Sequence, residues 1–236
     1  MSSHKKISVS KNGPYLVSGS VPLALQTIGV NHDGESTEWV EGEALPVSEQ
    51  YALCRCGKSK TKPFCDGTHA KIGFDGTETA SREPIMKQAE LLDGPTMQLA
   101  DAESLCAFAR FCDPHGRVWN QVRNTDDPKE RTQFIRQVGD CASGRLIAID
   151  KDTGKPIEPK LPPSIGLVED PAKKCSGPLW VRGGIALIGA DGQAYEIRNR
   201  MTLCRCGRSE NKPFCNGAHA AEPKFRDGLA SAGRRP

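Results

Sequence analysis

A small α+β fold, rich in short strands and built from two similar units around a mixed helical middle segment, is what three features of this 236-residue chain predict. A 16-residue stretch occurs twice, CRCGKSKTKPFCDGTH at 54–69 and CRCGRSENKPFCNGAH at 204–219, agreeing at 11 positions without a gap. Each copy follows a Gly-Pro pair and a run of alternating apolar residues, NGPYLVSGSVPLAL and SGPLWVRGGIALIG, the pattern of a turn and short strands. Only 37% of the residues are hydrophobic, set against ten cysteines. That is thin material for one large core, and small units with thin cores usually carry a staple.

Taken in order, residues 1–79 form the first unit. Gly13 to Cys54 spans 41 residues and Gly177 to Cys204 only 27, so the first copy carries about 14 extra, read as a longer loop around NHDGESTEWVEGE. PVSEQYALC and YEIRNRMTLC read as strands feeding the cysteine loops. Residues 80–174 are the mixed middle. DAESLCAFARFC predicts a helix capped by Asp101, with Leu105, Phe108 and Ala109 on one face. DPKERTQFIRQVGDC predicts another, with Asp127 as cap, Pro128 at its first position and Phe134, Ile135 and Val138 as the apolar stripe. GRLIAID is a strand, and the Pro-rich GKPIEPKLPPSIGLVEDP an extended connector. Residues 175–236 form the second unit. Trp39, Trp119 and Trp180 are expected to anchor the sparse core. Cys175 reads as an incidental connector residue, and His4, His32 and His115 as solvent-facing or structural.

Charge and hydropathy narrow the class. Thirty-two basic residues against 29 acidic leave a formal charge of +3, with no Lys/Arg block of the kind that grips nucleic acid. The N-terminal MSSHKKISVSKNG lacks the apolar region of a secretory signal. The longest apolar run, Gly183–Ala190, falls far short of the roughly 20 residues that span a membrane. A soluble, cytoplasmic protein without membrane or nucleic-acid partners is expected. In a reducing compartment, clustered cysteines read as metal ligands before disulfides.

The repeated stretch carries the chemistry. Cys54-x-Cys56 can chelate one iron from an extended turn, and Cys65 and His69, at i and i+4, can converge on a second, with Asp66 capping a helix start. Two chelates suit a [2Fe–2S] rhomb, in which each iron needs two protein donors besides the bridging sulfides. Cys204, Cys206, Cys215 and His219 repeat the set. The competing assignment is structural zinc, for which three Cys and one His also serve, although zinc knuckles usually show C-x₂₋₄-C spacing rather than C-x-C.

Both stretches resemble the CDGSH iron–sulphur domain family (mitoNEET-like proteins). Its signature is C-x-C, two residues, Ser/Thr, three residues, Pro, one residue, then C-D-G-[S/A/T]-H. The first copy meets it throughout, with Ser59, Pro63, Asp66, Gly67 and Thr68; the second departs once, with Asn216 in place of Asp, which removes a negative charge and is expected to shift the cluster potential. The resemblance implies two redox-active, labile [2Fe–2S] clusters, each on three Cys and one His. A neutral imidazole in place of a thiolate raises the reduction potential, and its protonation competes with the iron bond, so release should quicken as pH falls. Arg55, Lys58 and Lys62, and Arg205, Arg208 and Lys212, would offset the anionic clusters. Family members pair as homodimers with intertwined strands, so this tandem chain is expected to supply both halves as a pseudo-two-fold monomer.

Cys106, Cys112 and Cys141, in LCAFARFCD and DCASGRL, faintly resemble a divergent single-cluster ferredoxin segment. Ala142 stands where that pattern has Pro, and three cysteines where four ligands are needed. They are read as thiols packing a helix pair, with a third cluster as the lesser alternative. No nucleophile–base constellation or phosphate loop argues for catalysis. The expected function is electron or cluster transfer to protein electron donors and acceptors or apo iron–sulphur proteins; the alternative is a redox or iron sensor whose clusters gate partner binding.

Overall fold

Gly13-Pro14 closes a turn, as predicted, whereas Gly177-Pro178 lies inside the strand Cys175–Arg182, beside a shift in its register. The computed structural model describes residues 5–229. Strands β1 (Lys6–Val9), β2 (Tyr15–Ser18), β3 (Leu23–Val30), β4 (Ser36–Leu45) and β5 (Gln50–Leu53) precede the first cysteine loop. The middle contributes β6 (Glu90–Asp93), β7 (Met97–Asp101), β8 (Leu146–Asp150) and β9 (Pro156–Ile157). Then come β10 (Ser164–Asp170), β11 (Cys175–Arg182), β12 (Ala186–Ile188) and β13 (Arg200–Leu203), which feeds the second cysteine loop. Among the described residues no helix is long and apolar enough to cross a membrane.

The two sheets that feed the cysteine loops share one plan. In the first, the order is β12-β1-β2-β5; in the second, β13-β11-β10-β3-β4. β12, from the second half of the chain, runs parallel to β1, while β3, from the first half, runs parallel to β10. β2 and β11 then pair antiparallel with the strands that feed the cysteine loops, Tyr15 opposite Leu53 and Leu179 opposite Leu203. Each half thus lends a strand to the other's sheet. The apolar core follows suit: Ile7, Val17 and Leu53 pack with Ile165, Leu179 and Leu203 in one cluster. Neither half encloses enough surface to bury its own sheet, which is the physical reason for the exchange.

Several expectations need correcting. The additional residues of the first copy are not a loop but the hairpin β3–β4, whose second strand lies at the sheet edge with its Glu residues exposed. Seven residues of the supposed connector are β10, buried along its length and pairing with strands on both sides. Its run SIGLVED is short and bounded by prolines, and a strand buried on both faces loses the polar alternation that would mark it. Cys175 is not in a connector; it opens β11 and is 5% exposed.

The middle segment is the meander β6-β7-β8-β9 carrying the helix Pro128–Gly139. The Asp127 carboxylate accepts from the Lys129 amide at 2.8 Å, and Phe134 and Val138 are buried against Met97 and Leu146. The helix expected from Asp101 does not form. Only a 3₁₀ turn, Glu103–Leu105, precedes irregular chain in which Phe108 and Arg110 take positive φ, 58° and 65°. Tertiary anchors override the local pattern: the Asp170 carboxylate holds Arg110 at 2.6 Å, and Phe111 stacks on Trp39, whose ring also meets Trp180 at 4.5 Å. Asp101 caps nothing; it ends β7 and grips Arg145 and the Trp119 indole.

Candidate functional site

Each cysteine loop closes on its feeding strand in the same way. The Cys54 amide donates to Pro63 at 2.8 Å and the Cys65 amide to Ala52 at 2.9 Å; Cys204 to Pro213 and Cys215 to Thr202 are both 2.9 Å. Ser59 and Ser209 each donate to the carbonyl of the following Phe, Phe64 or Phe214, at 2.7 Å. These bonds hold the two halves of each ligand set side by side. The loops then turn at Gly57 and Gly207, whose φ of 72° and 80° suits a residue without a side chain.

The predicted donors meet in pairs. Cys54 Sγ and Cys56 Sγ are 3.8 Å apart, as are Cys204 and Cys206. Cys65 Sγ lies 3.3 Å from His69 Nδ1, and Cys215 Sγ 3.4 Å from His219 Nδ1. Two thiolates on one tetrahedral metal, with bonds of about 2.3 Å, stand about 3.8 Å apart, and a thiolate and an imidazole about 3.5 Å. The residues present fit metal chelation. Among the described residues, no three His, Cys, Asp or Glu side chains gather at a single-ion position. The donors are organised as pairs, not as one closed tetrad.

The i, i+4 meeting of Cys and His has a different cause from the one the spacing suggested. Gly67 and Gly217, with φ of 82° and 83°, bend the chain before a single helical turn at Thr68–Lys71 and a 3₁₀ turn at Ala218–Ala220. Asp66 therefore does not cap by the usual geometry; its carboxylate ties the amides of Lys60, at 2.8 Å, and Thr68, at 3.0 Å. Asn216 Oδ1 keeps only the equivalent of the second, from Ala218 at 3.2 Å.

Arg55 and Arg205, read from the sequence as charges that would offset the clusters, are buried anchors. Arg55 donates to the carbonyls of Ser10 and Gly76 and lies over Tyr15 and Phe74. Arg205 donates to Gly177 and Val168 and pairs with both Glu169 and Asp227. Sequence reasoning gave Tyr15 no part in either site: its hydroxyl faces the carbonyls of Cys204, at 2.8 Å, and Pro213, at 3.0 Å, sharing its one proton between them, so the first half braces the second motif. A buried Tyr must spend its hydroxyl somewhere, and that was the available signal.

The pockets differ in cover. Cys65 and His69 are half-buried, whereas Cys215 and His219 are 2% and 4% exposed. Burial, and after it the Arg205 guanidinium, pushes His219 down to about 4. In the metal-free chain the unfolded state then takes a proton below about 6.5 that the folded state refuses until about 4. Apo stability should be complete above that upper value and decline as pH drops through the window. Urea midpoints between pH 7 and pH 4.5 should fall, and His219→Gln should flatten the slope; a wild-type midpoint constant over that range would contradict this.

The middle cysteines come together as well. Cys106, Cys112 and Cys141 line one small cavity with Ser143 and Arg145, and all three are partly exposed. Cys112 and Cys141 pack against the cluster that includes Val118, Phe134 and Val138 of two neighbouring helices, as expected of packing thiols, whereas Cys106 is outside that cluster. Cys106 follows the 3₁₀ turn, and Cys141 lies just past the helix Pro128–Gly139. A Cβ placed on Gly217 would sit 3.4 Å from the Cys106 carbonyl, so this cavity's loop abuts the second pocket. His32 is exposed beside Asp33, His115 lies in an exposed turn, and His4 falls outside the described residues.

Paired thiolate and imidazole donors, set at chelate spacing at the ends of two like-built sheets, define an iron–sulfur-binding protein. Residues 12–70 and 176–220 both match the family described as iron-binding zinc finger CDGSH type, the pattern of a tandem CDGSH domain protein. Residues 92–151 match a second family, described as divergent 4Fe-4S mono-cluster. No curated protein and no solved structure matches the chain.

Proposed function

We propose that each pocket holds a redox-active, acid-labile [2Fe–2S] cluster and that the protein passes electrons or whole clusters to partner proteins, acting as a carrier rather than a catalyst. Cys54, Cys56, Cys65 and His69 would hold one cluster, and Cys204, Cys206, Cys215 and His219 the other. The observation that carries this reading is the donor geometry: two pairs per pocket, each at the bite of one metal, repeated twice. When bound, such a cluster supplies one-electron redox chemistry at a potential raised by its neutral imidazole donor. The protein's own residues set the rest: thiolates grip, histidine is the releasable donor, and Tyr15 and the loop amides hold the frame. Reciprocal strand exchange supports a pseudo-two-fold monomer that supplies both halves of the arrangement.

The test is a visible spectrum with iron and sulfide counts. Two such clusters require about four iron and four sulfide per chain; colourless protein with zinc and no acid-volatile sulfide would end the reading. His69→Cys and His219→Cys should each slow acid release and lower the potential of the altered pocket, since a thiolate adds negative charge. Unchanged release in both would remove histidine from that role.

A second reading concerns number. The shared cavity of Cys106, Cys112 and Cys141, within the region that matches the 4Fe-4S family, favours a third centre there. Iron well above four per chain, lost in Cys112→Ser with the CDGSH spectrum kept, would establish it.

A further inference from the structure

The two pockets repeat each other along the chain but not in their surroundings. The second is roofed. The Cys106–Phe108 loop lies against Gly217, and Asn211 Nδ2 donates to the Ser104 carbonyl at 3.0 Å. The Arg208 guanidinium closes over the carbonyls of His219, Ala221 and Pro223. The first pocket has no such loop or guanidinium cover among the described residues: the Phe74 amide donates to the His69 carbonyl at 3.0 Å as Phe225 does to His219, His69 packs on the Gly13 turn, and beyond it Lys71 and Ile72 are exposed, Ile72 at 50%.

Charge differs in the same sense. Around the first pocket, exposed Lys58, Lys60 and Lys71, with Lys62 and buried Arg55, outnumber Asp66 and Asp75. Arg55 meets carbonyls and aromatic faces and has no carboxylate partner among the described residues, so its charge is not cancelled. At the second pocket Arg208 and Lys212 keep the charges of Lys58 and Lys62, but the equivalents of Lys60, Lys71 and Ile72 are Glu210, Ala221 and Glu222. There Arg205 is paired with Glu169 and Asp227, and Arg110 with Asp170.

We propose that the first pocket is the docking port of this protein, where an acidic surface of a partner protein meets the chain, and that the second exchanges electrons only through the protein interior. The inference rests on the reading that both pockets hold clusters. An open rim of like charge focuses oppositely charged partners and raises their encounter rate, an effect that salt removes. A fixed, roofed pocket whose neighbouring charges cancel offers no such steering.

The test uses the holo protein, reduced and then mixed at low salt with ferricyanide or with hexaammineruthenium(III). Each reoxidation moves one electron from a reduced centre to the oxidant, giving ferrocyanide or the ruthenium(II) ion. Ferricyanide, an anion, should produce a fast and a slow phase, and the fast phase should be absent from Cys65→Ala, which lacks the first cluster. Lys58→Glu/Lys60→Glu/Lys71→Glu should slow the fast phase about tenfold or more, leave the slow phase alone and speed the ruthenium reaction. Poly-L-glutamate, the acidic macromolecular probe, should inhibit the fast phase in wild type and not in the triple variant. Equal rates at the two pockets, a fast phase that survives Cys65→Ala, or indifference to charge reversal or to polyglutamate would overturn the proposal. Iron and sulfide counts on every sample separate the two failures: absent clusters refute the cluster reading, whereas intact clusters with the wrong kinetics refute the port.

Discussion

Replacing Gly57 with alanine should empty both pockets, although the residue belongs to the first motif alone. The two C-x-C loops meet back to back. A Cβ on Gly57 would lie 2.5 Å from the Cys206 carbonyl oxygen, and one on Gly207 would lie 2.6 Å from that of Cys56. Both contacts are to backbone, which cannot swing aside as a flexible side chain does. Alanine at this positive φ costs roughly 1–2 kcal/mol, and forcing the loops apart adds about 1–3 kcal/mol more. The displaced chain carries Cys56 on one side and Cys206 on the other, so the thiolate pairs of both pockets open together. Iron per chain measured on Gly57→Ala should drop towards zero, with a clear fall in Tm. Gly34→Ala is the control: its φ is also positive, 78°, but nothing lies within 4 Å of its Cβ position. It should pay the conformational cost and keep its iron. Retention of one cluster in Gly57→Ala would show that the loops move independently.

The second large effect is expected at Arg200, whose side chain is fully buried. Its guanidinium donates to Glu158 twice, at 2.9 and 2.6 Å, and to the carbonyls of Val138, Gly139, Cys141 and Leu146. The first three of those carbonyls lie at or just past the end of the helix Pro128–Gly139, where intrahelical amides run out; Val138 and Cys141 also accept from the Cys141 and Gly144 amides. One side chain of β13 therefore ties the middle segment to the second unit. Arg200→Leu takes the guanidinium away from these acceptors and should cost about 3 kcal/mol, the lower part of the range for a broken buried pair, because Val138, Cys141 and Glu158 keep other donors and Glu158 is 29% exposed and can turn to water. Urea unfolding should register the loss, and limited proteolysis should cut near 103–112, where the loop is held by tertiary contacts rather than by helix. A stability change under about 1 kcal/mol would show that the remaining contacts suffice.

How much of this was legible depended on range. The ligand pairs are separated by one and three residues, and such short separations constrain geometry wherever the loop goes. The helix Pro128–Gly139 was equally readable, since its cap, its first-turn proline and its apolar stripe all lie within 12 residues. The stretch from Asp101 was misread for the opposite reason. Its apolar spacing is compatible with a helix, but Asp170 and Trp39, 60 and 72 residues away from their partners Arg110 and Phe111, pull the chain into another path. β10 escaped notice because a strand buried on both faces carries no alternation to read.

What the sequence by itself determined is the chemistry of the donors, their division into chelating pairs and their duplication, because each follows from neighbours along the chain. Tertiary structure alone decided that β3 and β12 change places, that the C-x-C loops touch, that three distant cysteines line one cavity, and that one copy of the motif is open and cationic while the other is covered. Two nearly identical strings of residues became unequal sites because burial and charge are set by what the rest of the chain brings alongside, and no local pattern encodes that.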